Sequence, residues 1–386
     1  MTLVSVKLRL YPNMTQMEQI ELTFNHTRFL WNAMLELQNT RHENNKESKF
    51  IGKYDLDLIL TTLKQEKRWL YDVDHTALQD TNAKLDKSFK RFFKKTGCHP
   101  RFKSYKNSKK SYTTKMNMKI LDNHHLKIAK MKPIYFRSRK HIPEGKIKTV
   151  TVSKSTTGKY YASVVIEREI EPLSETGNNV GLDLGLASLS TQSDGIKIPL
   201  PRFDKNLAKK KRNWERKLAR RRTRALSVIH EQKKFGRELE LKDFANYTRA
   251  KYMVAKYAEK ERNQRNDYLQ KYTTSLVRDY DVIVMEDLKV KNMMKNYKLS
   301  RAVANAGWRS MRTMLEYKTK WYGKELIVID PAYTSQVDFE TGEIQKKGLQ
   351  IRDYTNSNGT LVDRDVNAAK NILKWGLDPK TRITKA

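Results

Sequence analysis

The stretch NNVGLDLGLASLS (178–190) sets a carboxylate, Asp183, in the middle of an apolar strand. A lone carboxylate there is costly unless a cation or hydrogen-bond donors meet it. Any fold for this chain must therefore bring something to Asp183. Two later segments carry acids in related places. YDVIVMEDLKV (280–290) reads as a buried strand that ends in Glu286-Asp287. VDRDVNAAKNILKW (362–375) sets Asp363 and Asp365 at the mouth of a helix with an apolar stripe. Singly, Asp183 could bind backbone in a turn, Glu286 could lie on the surface, and Asp365 could be an N-cap. Jointly, strand ends and a helix start in an α/β core can converge. Three converging carboxylates repel and need cations, and two Mg²⁺ about 4 Å apart are the usual arrangement for phosphodiester hydrolysis.

Charge points to the substrate class. The 386 residues include 78 Lys+Arg against 43 Asp+Glu, a formal net charge of +35. Self-repulsion of this size fits a chain that binds a polyanion, and nucleic acid is the expected one. A membrane surface is the rival, but no apolar run approaches the length of a span and no signal-peptide pattern opens the chain. One cysteine, Cys98, leaves no internal disulfide, which fits a reducing cytoplasm. A cytoplasmic, nucleoid-associated protein is expected.

Periodicity divides the chain. Residues 1–11 alternate and read as an edge strand. Thr15 and Glu18 form a capping box that starts a helix carrying Ile20, Phe24, Trp31 and Leu35 on one stripe. A second helix is expected over about 54–68 and a third from about Thr76. Residues 99–115 form a basic loop with interleaved aromatics. From 116 to 170 the period is two, with hairpins in MKILDNHHLKIAK and KIKTVTVSKSTTGKYYASVVIE, the mark of a small, barrel-like β domain. Between Arg202 and Arg224 stand twelve Lys/Arg and two acids, in a helical stretch continuing to about 280.

The order strand-Asp, strand-Glu, Asp-helix is that of an RNase H-like fold, and here a resemblance becomes specific. GLDLG, VMEDL and DRDVNAAKNIL resemble the three RuvC motifs of the TnpB family, transposon-encoded RNA-guided nucleases. LRLYPN, TRFLWNAML, WLYDVDHTALQDTNAKLDKSFKRFF and PRFKS resemble its N-terminal half, so the likeness covers nearly the whole chain. It implies an α+β multidomain protein. A wedge β-barrel domain (1–14 and 116–175) would hold an inserted helical recognition domain (15–115). An RNase H-like (RuvC) α/β nuclease domain (176–330 and 360–386) would follow, with a basic helical insertion at about 200–280. The family binds a guide RNA from the transposon end and cleaves double-stranded DNA beside a short adjacent motif. By position, Asp183, Glu286 and Asp365 would be catalytic and hold two Mg²⁺, with Asp363 a neighbour or cap.

The same likeness puts Lys209, Lys210, Lys211, Arg212, Arg216, Arg220, Arg221 and Arg222 against the RNA–DNA heteroduplex, with Arg101, Lys103 and Tyr105 as further nucleic-acid contacts. Thr76, Gln79, Tyr112 and Thr113 fall where the family reads the adjacent motif. A monomer on its RNA is expected rather than a dimer.

One departure matters. The family's four-cysteine zinc site lies between the last strand and DRD. Here that stretch, 331–359, keeps TSQ, Gly342 and Gly359, while Asp338, Thr341, Thr355 and Asn358 stand in the cysteine places. Between 331 and 365 there is neither Cys nor His, so no zinc is expected. Asp338, Asn356 and Asn358 can close the turns instead. The rival to a nuclease is an RNA-guided binder that represses transcription; the missing cysteines favour it and the three intact acids oppose it. No paired-His motif with a nucleophilic tyrosine marks a strand-joining transposase, and a plain RNA-binding protein would leave Asp183 without a use.

Overall fold

The computed structural model describes residues 1–106, 109–138, 142–344, 348 and 351–382. The chain forms two compact units, Met1–Glu169 and Ile170–Ala386.

The first unit combines β1 (Thr2–Leu10), the helices α1 (Met14–Asn44), α2 (Lys53–Glu66) and α3 (His75–Phe93), and the strands β2 (Ser111–Thr114), β3 (Lys119–Ile120), β4 (His125–Lys127), β5 (Ile134–Arg137), β6 (Lys146–Lys154) and β7 (Tyr160–Arg168). The strands form one sheet in the order β2-β6-β7-β1-β5-β4-β3. Every pairing is antiparallel. Among the described residues the end strands β2 and β3 do not pair, so the barrel-like domain that the sequence suggested is a curled, open sheet. Nor is β1 an edge strand: all nine of its residues pair with β7, and Arg9 and Leu10 also pair with β5. Alternation reports a half-buried strand, not its number of neighbours. The helix start also shifts. Asn13 caps α1, accepting from Gln16 N at 2.9 Å while the Gln16 side chain accepts from Asn13 N at 2.9 Å. The box is real but begins two residues before Thr15.

The second unit holds β8 (Asn179–Asp183), β9 (Ser188–Gln192), β10 (Lys197–Pro199), α4 (Phe203–Asn206), α5 (Ala208–Lys234), α6 (Ala245–Asp279), β11 (Val282–Glu286), α7 (Val290–Met293), α8 (Tyr297–Ala306), α9 (Trp308–Tyr322), β12 (Glu325–Ile329), β13 (Asp353–Thr355), β14 (Leu361–Asp363) and α10 (Arg364–Leu377). Five strands form a sheet in the order β10-β9-β8-β11-β12. β8 to β10 run antiparallel, and β11 lies parallel to both β8 and β12. The long basic stretch is a helical hairpin, broken at 235–244 where Gly236 takes a left-handed φ of 70°.

Close packing locks α10 onto β8. A Cβ at Gly181 would lie 2.1 Å from the Ala369 carbonyl oxygen and 2.7 Å from Leu373 N. Ala368, Ala369, Ile372 and Trp375 of α10 are buried, while Leu373 keeps part of its surface.

Candidate metal-binding active site

Register brings two of the acids together. On the parallel strands β8 and β11, Leu182 pairs with Met285. One residue further along each strand stand Asp183 and Glu286. Neighbours in register on parallel strands point to the same face. Asp365 comes from the first turn of α10, the helix packed on β8.

The electrostatics record this meeting. Burial pushes the Asp183 carboxyl up to about 8, and the charges of Glu286 and Asp365 push the same way against Arg364 and Arg352. Burial also raises Glu286; the Thr334 hydrogen bond opposes the rise and Asp330 adds to it. Asp183 and Glu286 thus sit in surroundings that disfavour their own negative charge.

Each of two acids has a protein partner that sequence reasoning missed. Thr334 Oγ1 donates to Glu286 Oε1 at 2.6 Å. Arg352 Nη1 donates to Asp365 Oδ1 at 2.9 Å and Oδ2 at 3.1 Å. Asp363 is the N-cap of α10: its Oδ1 accepts from Asp365 N at 2.9 Å and Val366 N at 3.1 Å, and its other oxygen takes Lys197. Among the described residues no three His, Cys, Asp or Glu side chains stand close enough to ligate one ion as they are placed. The donor set, carboxylate oxygen alone, suits a hard cation such as Mg²⁺. Asp365 would have to leave Arg352 to join such a site.

Two asparagines of the DRDVNAAKN run fix the segment after β12. Asn367 Nδ2 and Asn371 Nδ2 both donate to Val337 O at 2.7 Å, and Asn367 Oδ1 accepts from Phe339 N at 2.8 Å. They lie four residues apart on one helix face. The cysteine-free segment that follows is ordered by polar turns. Asp338 Oδ1 accepts from Glu340 N and Thr341 N, each at 3.0 Å. Asn356 Oδ1 accepts from Asn358 N at 3.1 Å and Thr360 N at 2.8 Å. Asn356 Nδ2 also reaches Glu340 at 2.9 Å, joining the two turns. Both turn closures match expectation, except that Asn358 contributes its backbone.

The basic residues divide. On α5, Lys209, Lys210, Arg212, Arg216, Arg220 and Arg222 are exposed. Lys211 and Arg221 are not free for phosphate. Lys211 pairs with Glu261 of α6 at 3.0 Å, and Arg221 donates to Asn246 O at 2.8 Å. Together with Trp214, Leu218 and Ala225 they form the stripe of α5 that is least exposed. In the loop, Arg101 is exposed and its carbonyl accepts from Trp31 Nε1 at 3.0 Å. Lys103 caps Trp31 at 3.6 Å from the ring, and burial, helped by Lys84, lowers it to about 8. Tyr105 is exposed, between the Arg28 and Lys110 cations at 5.0 and 4.7 Å. Of the four residues placed at the adjacent motif, Tyr112 is a core residue, 4% exposed against Phe24, and offers no surface to a base. Thr76 and Thr113 are buried and bonded to Asp74, Lys84 and Thr151; Gln79 alone keeps part of its surface.

Comparison with known proteins finds relatives along the whole chain. A family model described as "Probable transposase" matches residues 162–297, and one described as "Cas12f1-like, TNB domain" matches 308–372. A "Helix-turn-helix domain" model matches 1–47, where this chain has β1 and one long helix. A "Putative RNA-guided DNA endonuclease" of Streptomyces pristinaespiralis is 34% identical over 96% of this chain and 89% of its own length. A protein of the same description, InsQ of Escherichia coli K12, is 30% identical over 97% of this chain and 92% of its own. A solved Cas12f1-sgRNA-target DNA complex covers 98% of this chain and 100% of its own at 14% identity, with a TM-score of 0.32, too low a likeness to argue from. Relatives of such identity spanning both units make this chain a member of the TnpB family.

Proposed function

We propose that the chain is an RNA-guided DNA endonuclease with an RNase H-like catalytic core. The observation that carries the reading is the placement of Asp183 and Glu286 side by side at the ends of parallel strands, with Asp365 entering from the helix packed on them. Strand order β10-β9-β8-β11-β12 supports the RNase H-like assignment. Names of relatives that span the chain support the RNA guide and the DNA target.

The roles divide by position. Asp183, Glu286 and Asp365 would hold two Mg²⁺, whose Lewis acidity would ready a water and steady the leaving oxygen. Asn367 and Asn371 fix the turn that carries Thr334, and Thr334 holds the Glu286 carboxyl in place. Lys209, Lys210, Arg212, Arg216, Arg220 and Arg222, exposed on α5, would lie along the guide–target heteroduplex, which presents phosphates at close spacing. Guide RNA from the transposon end, duplex DNA with an adjacent motif, a monomeric state on RNA and a cytoplasmic, nucleoid-associated location complete the proposal. Gln79 is the part-exposed candidate for motif contact.

A second reading has its own observation. Arg352 occupies Asp365 from the segment that lacks the zinc cysteines, which favours an RNA-guided DNA binder that cuts weakly and represses transcription. One assay separates the two. The protein copurified with its native RNA is given matched DNA with a randomised flank and Mg²⁺, beside Asp183→Ala and Asp365→Ala. Guide-dependent cutting at a fixed flank that disappears in both variants supports the nuclease. Guide-dependent binding without cutting supports the repressor.

A further inference from the structure

A cavity of about 590 Å³ opens directly beside Glu286, between the end of β11, α7 and the first half of α9. Its wall is apolar where Leu184, Met285 and Met294 line it, and Glu286 itself forms part of the lining. Three cations, Lys289, Lys291 and Arg309, stand at the rim, exposed and without an ion pair among the described residues. Arg312 lines it too but is held by Asp287 and Glu316.

Trp308 is the second observation. It is 3% exposed, lines the cavity, and its Nε1 finds no hydrogen-bond acceptor among the described residues. That nitrogen is itself buried, so Trp308 presents apolar ring surface to the cavity. Its place is set by the backbone: Gly307, with a left-handed φ of 70°, ends α8 and starts α9, which puts Trp308 at the first turn. The apolar wall, to which Trp308 belongs, and the cationic rim together match a flat ring tethered to phosphates.

The geometry points to a nucleobase subsite that takes one base of the DNA strand being cut, next to the scissile phosphate. The base packs on the apolar wall beside Trp308, and Lys289, Lys291 and Arg309 meet the flanking phosphates. Seating the base here holds the neighbouring phosphate at Glu286. The inference rests on the endonuclease reading, since Glu286 is what makes the strand at this place the one that is cut. Loss of such an aromatic or apolar base contact weakens other single-strand sites about 5- to 150-fold.

The test walks an abasic site one nucleotide at a time through each strand of matched DNA, using the wild-type protein with its guide RNA. A single position beside the cut should slow single-turnover cleavage about tenfold. Trp308→Phe, checked for an unchanged melting temperature, should cut intact DNA several-fold more slowly and lose most of the abasic penalty. Met294→Trp, at an exposed position that fills the cavity mouth, should do the same without touching the core, and it stands in if the Phe variant does not fold. A flat abasic profile in a protein that cuts intact DNA overturns the subsite, as does a penalty equal in wild type and variants. If nothing is cut, the endonuclease reading has failed, and binding decides the pocket. A single-stranded oligonucleotide bearing 2-aminopurine should be quenched by wild type and less by the variants; equal quenching overturns it.

Discussion

Tyr354 donates its hydroxyl to Asp338 Oδ2 at 2.6 Å, tying the first polar turn of the 331–359 segment to the strand of the second. Asp338 is buried, yet its carboxyl stays below the ordinary range: burial acts to raise it, and Tyr354 with the Thr341 and Glu340 amides outweighs burial. Removing one partner leaves a buried carboxylate oxygen unpaired, at about 1–3 kcal/mol. Tyr354→Phe should therefore speed proteolysis within 331–359 about tenfold or more, while added zinc or a chelator leaves the wild-type rate unchanged. The depressed carboxyl adds stability that is present above its unfolded value of 3.8 and is lost as pH falls through its lower folded value. Protection of this segment should fade on acidification below about pH 4. Chelator-sensitive protection would mean that a metal orders it after all.

Asp183 works in the opposite sense. Its folded value of about 8 lies above the ordinary value of 3.8, so between the two the folded state binds more protons than the unfolded. Stability then falls as pH rises across that window. Without divalent cations, the melting temperature should fall from about pH 4 to about pH 8, and Asp183→Asn should flatten the fall. Mg²⁺ should raise the melting temperature most at the alkaline end, where the carboxylates are ionised. A slope that is the same in Asp183→Asn would remove this residue as its source.

Arg352 competes with any cation for Asp365. The pair is partly exposed, with side-chain exposures of 55% and 18%, which limits its worth to about 1 kcal/mol. Arg352→Ala should lower the Mg²⁺ concentration giving half of the thermal stabilisation, by up to about fivefold. An increase would mean that Arg352 helps assemble the site instead of closing it.

These sites differ in how far the sequence exposed them. Asp183 was legible because a charge inside GLDLG violates the apolar pattern around it, and Glu286 and Asp365 because a strand end and a helix start mark where a side chain can reach a shared cleft. Thr334 and Arg352 were not, since Thr334 meets Glu286 across 48 residues of chain and nothing local announces the contact. Tyr112 shows the limit of reading a loop from charge and the lack of an apolar period: within the stretch expected as a basic loop, Ser111–Thr114 form β2, and α1 covers Tyr112, its Phe24 ring 5.7 Å away. Counting cations on α5 had the same blind spot. Lys211 and Arg221 look like their neighbours until α6 folds back and claims them.

Gly181 is a steric demand of the active-site layer. Its missing Cβ leaves room for the α10 backbone, and the atom that would clash is a carbonyl oxygen, which cannot rotate away. Gly181→Ala should cost about 1–3 kcal/mol or more by overpacking. It should also reduce Mg²⁺ stabilisation, because α10 carries Asp365. A variant as stable as wild type would show that the helix can slide at little cost.

Salt dependence measures the interface of α5. Neutralising a phosphate contact lowers the slope of log affinity against log salt by about 0.7–0.9 per contact. Arg212→Ala, Arg216→Ala and Arg220→Ala remove three exposed cations from one helix and leave the α6-facing stripe intact. Combined, they should weaken guide RNA or heteroduplex binding and reduce that slope by about two to three, with little change in melting temperature. Lys211→Ala and Arg221→Ala should do the reverse, lowering the melting temperature and barely moving the slope, because their partners are Glu261 and the Asn246 carbonyl. If both sets moved the slope equally, α5 would have to separate from α6 when nucleic acid binds, and the hairpin would be a closed form of the interface.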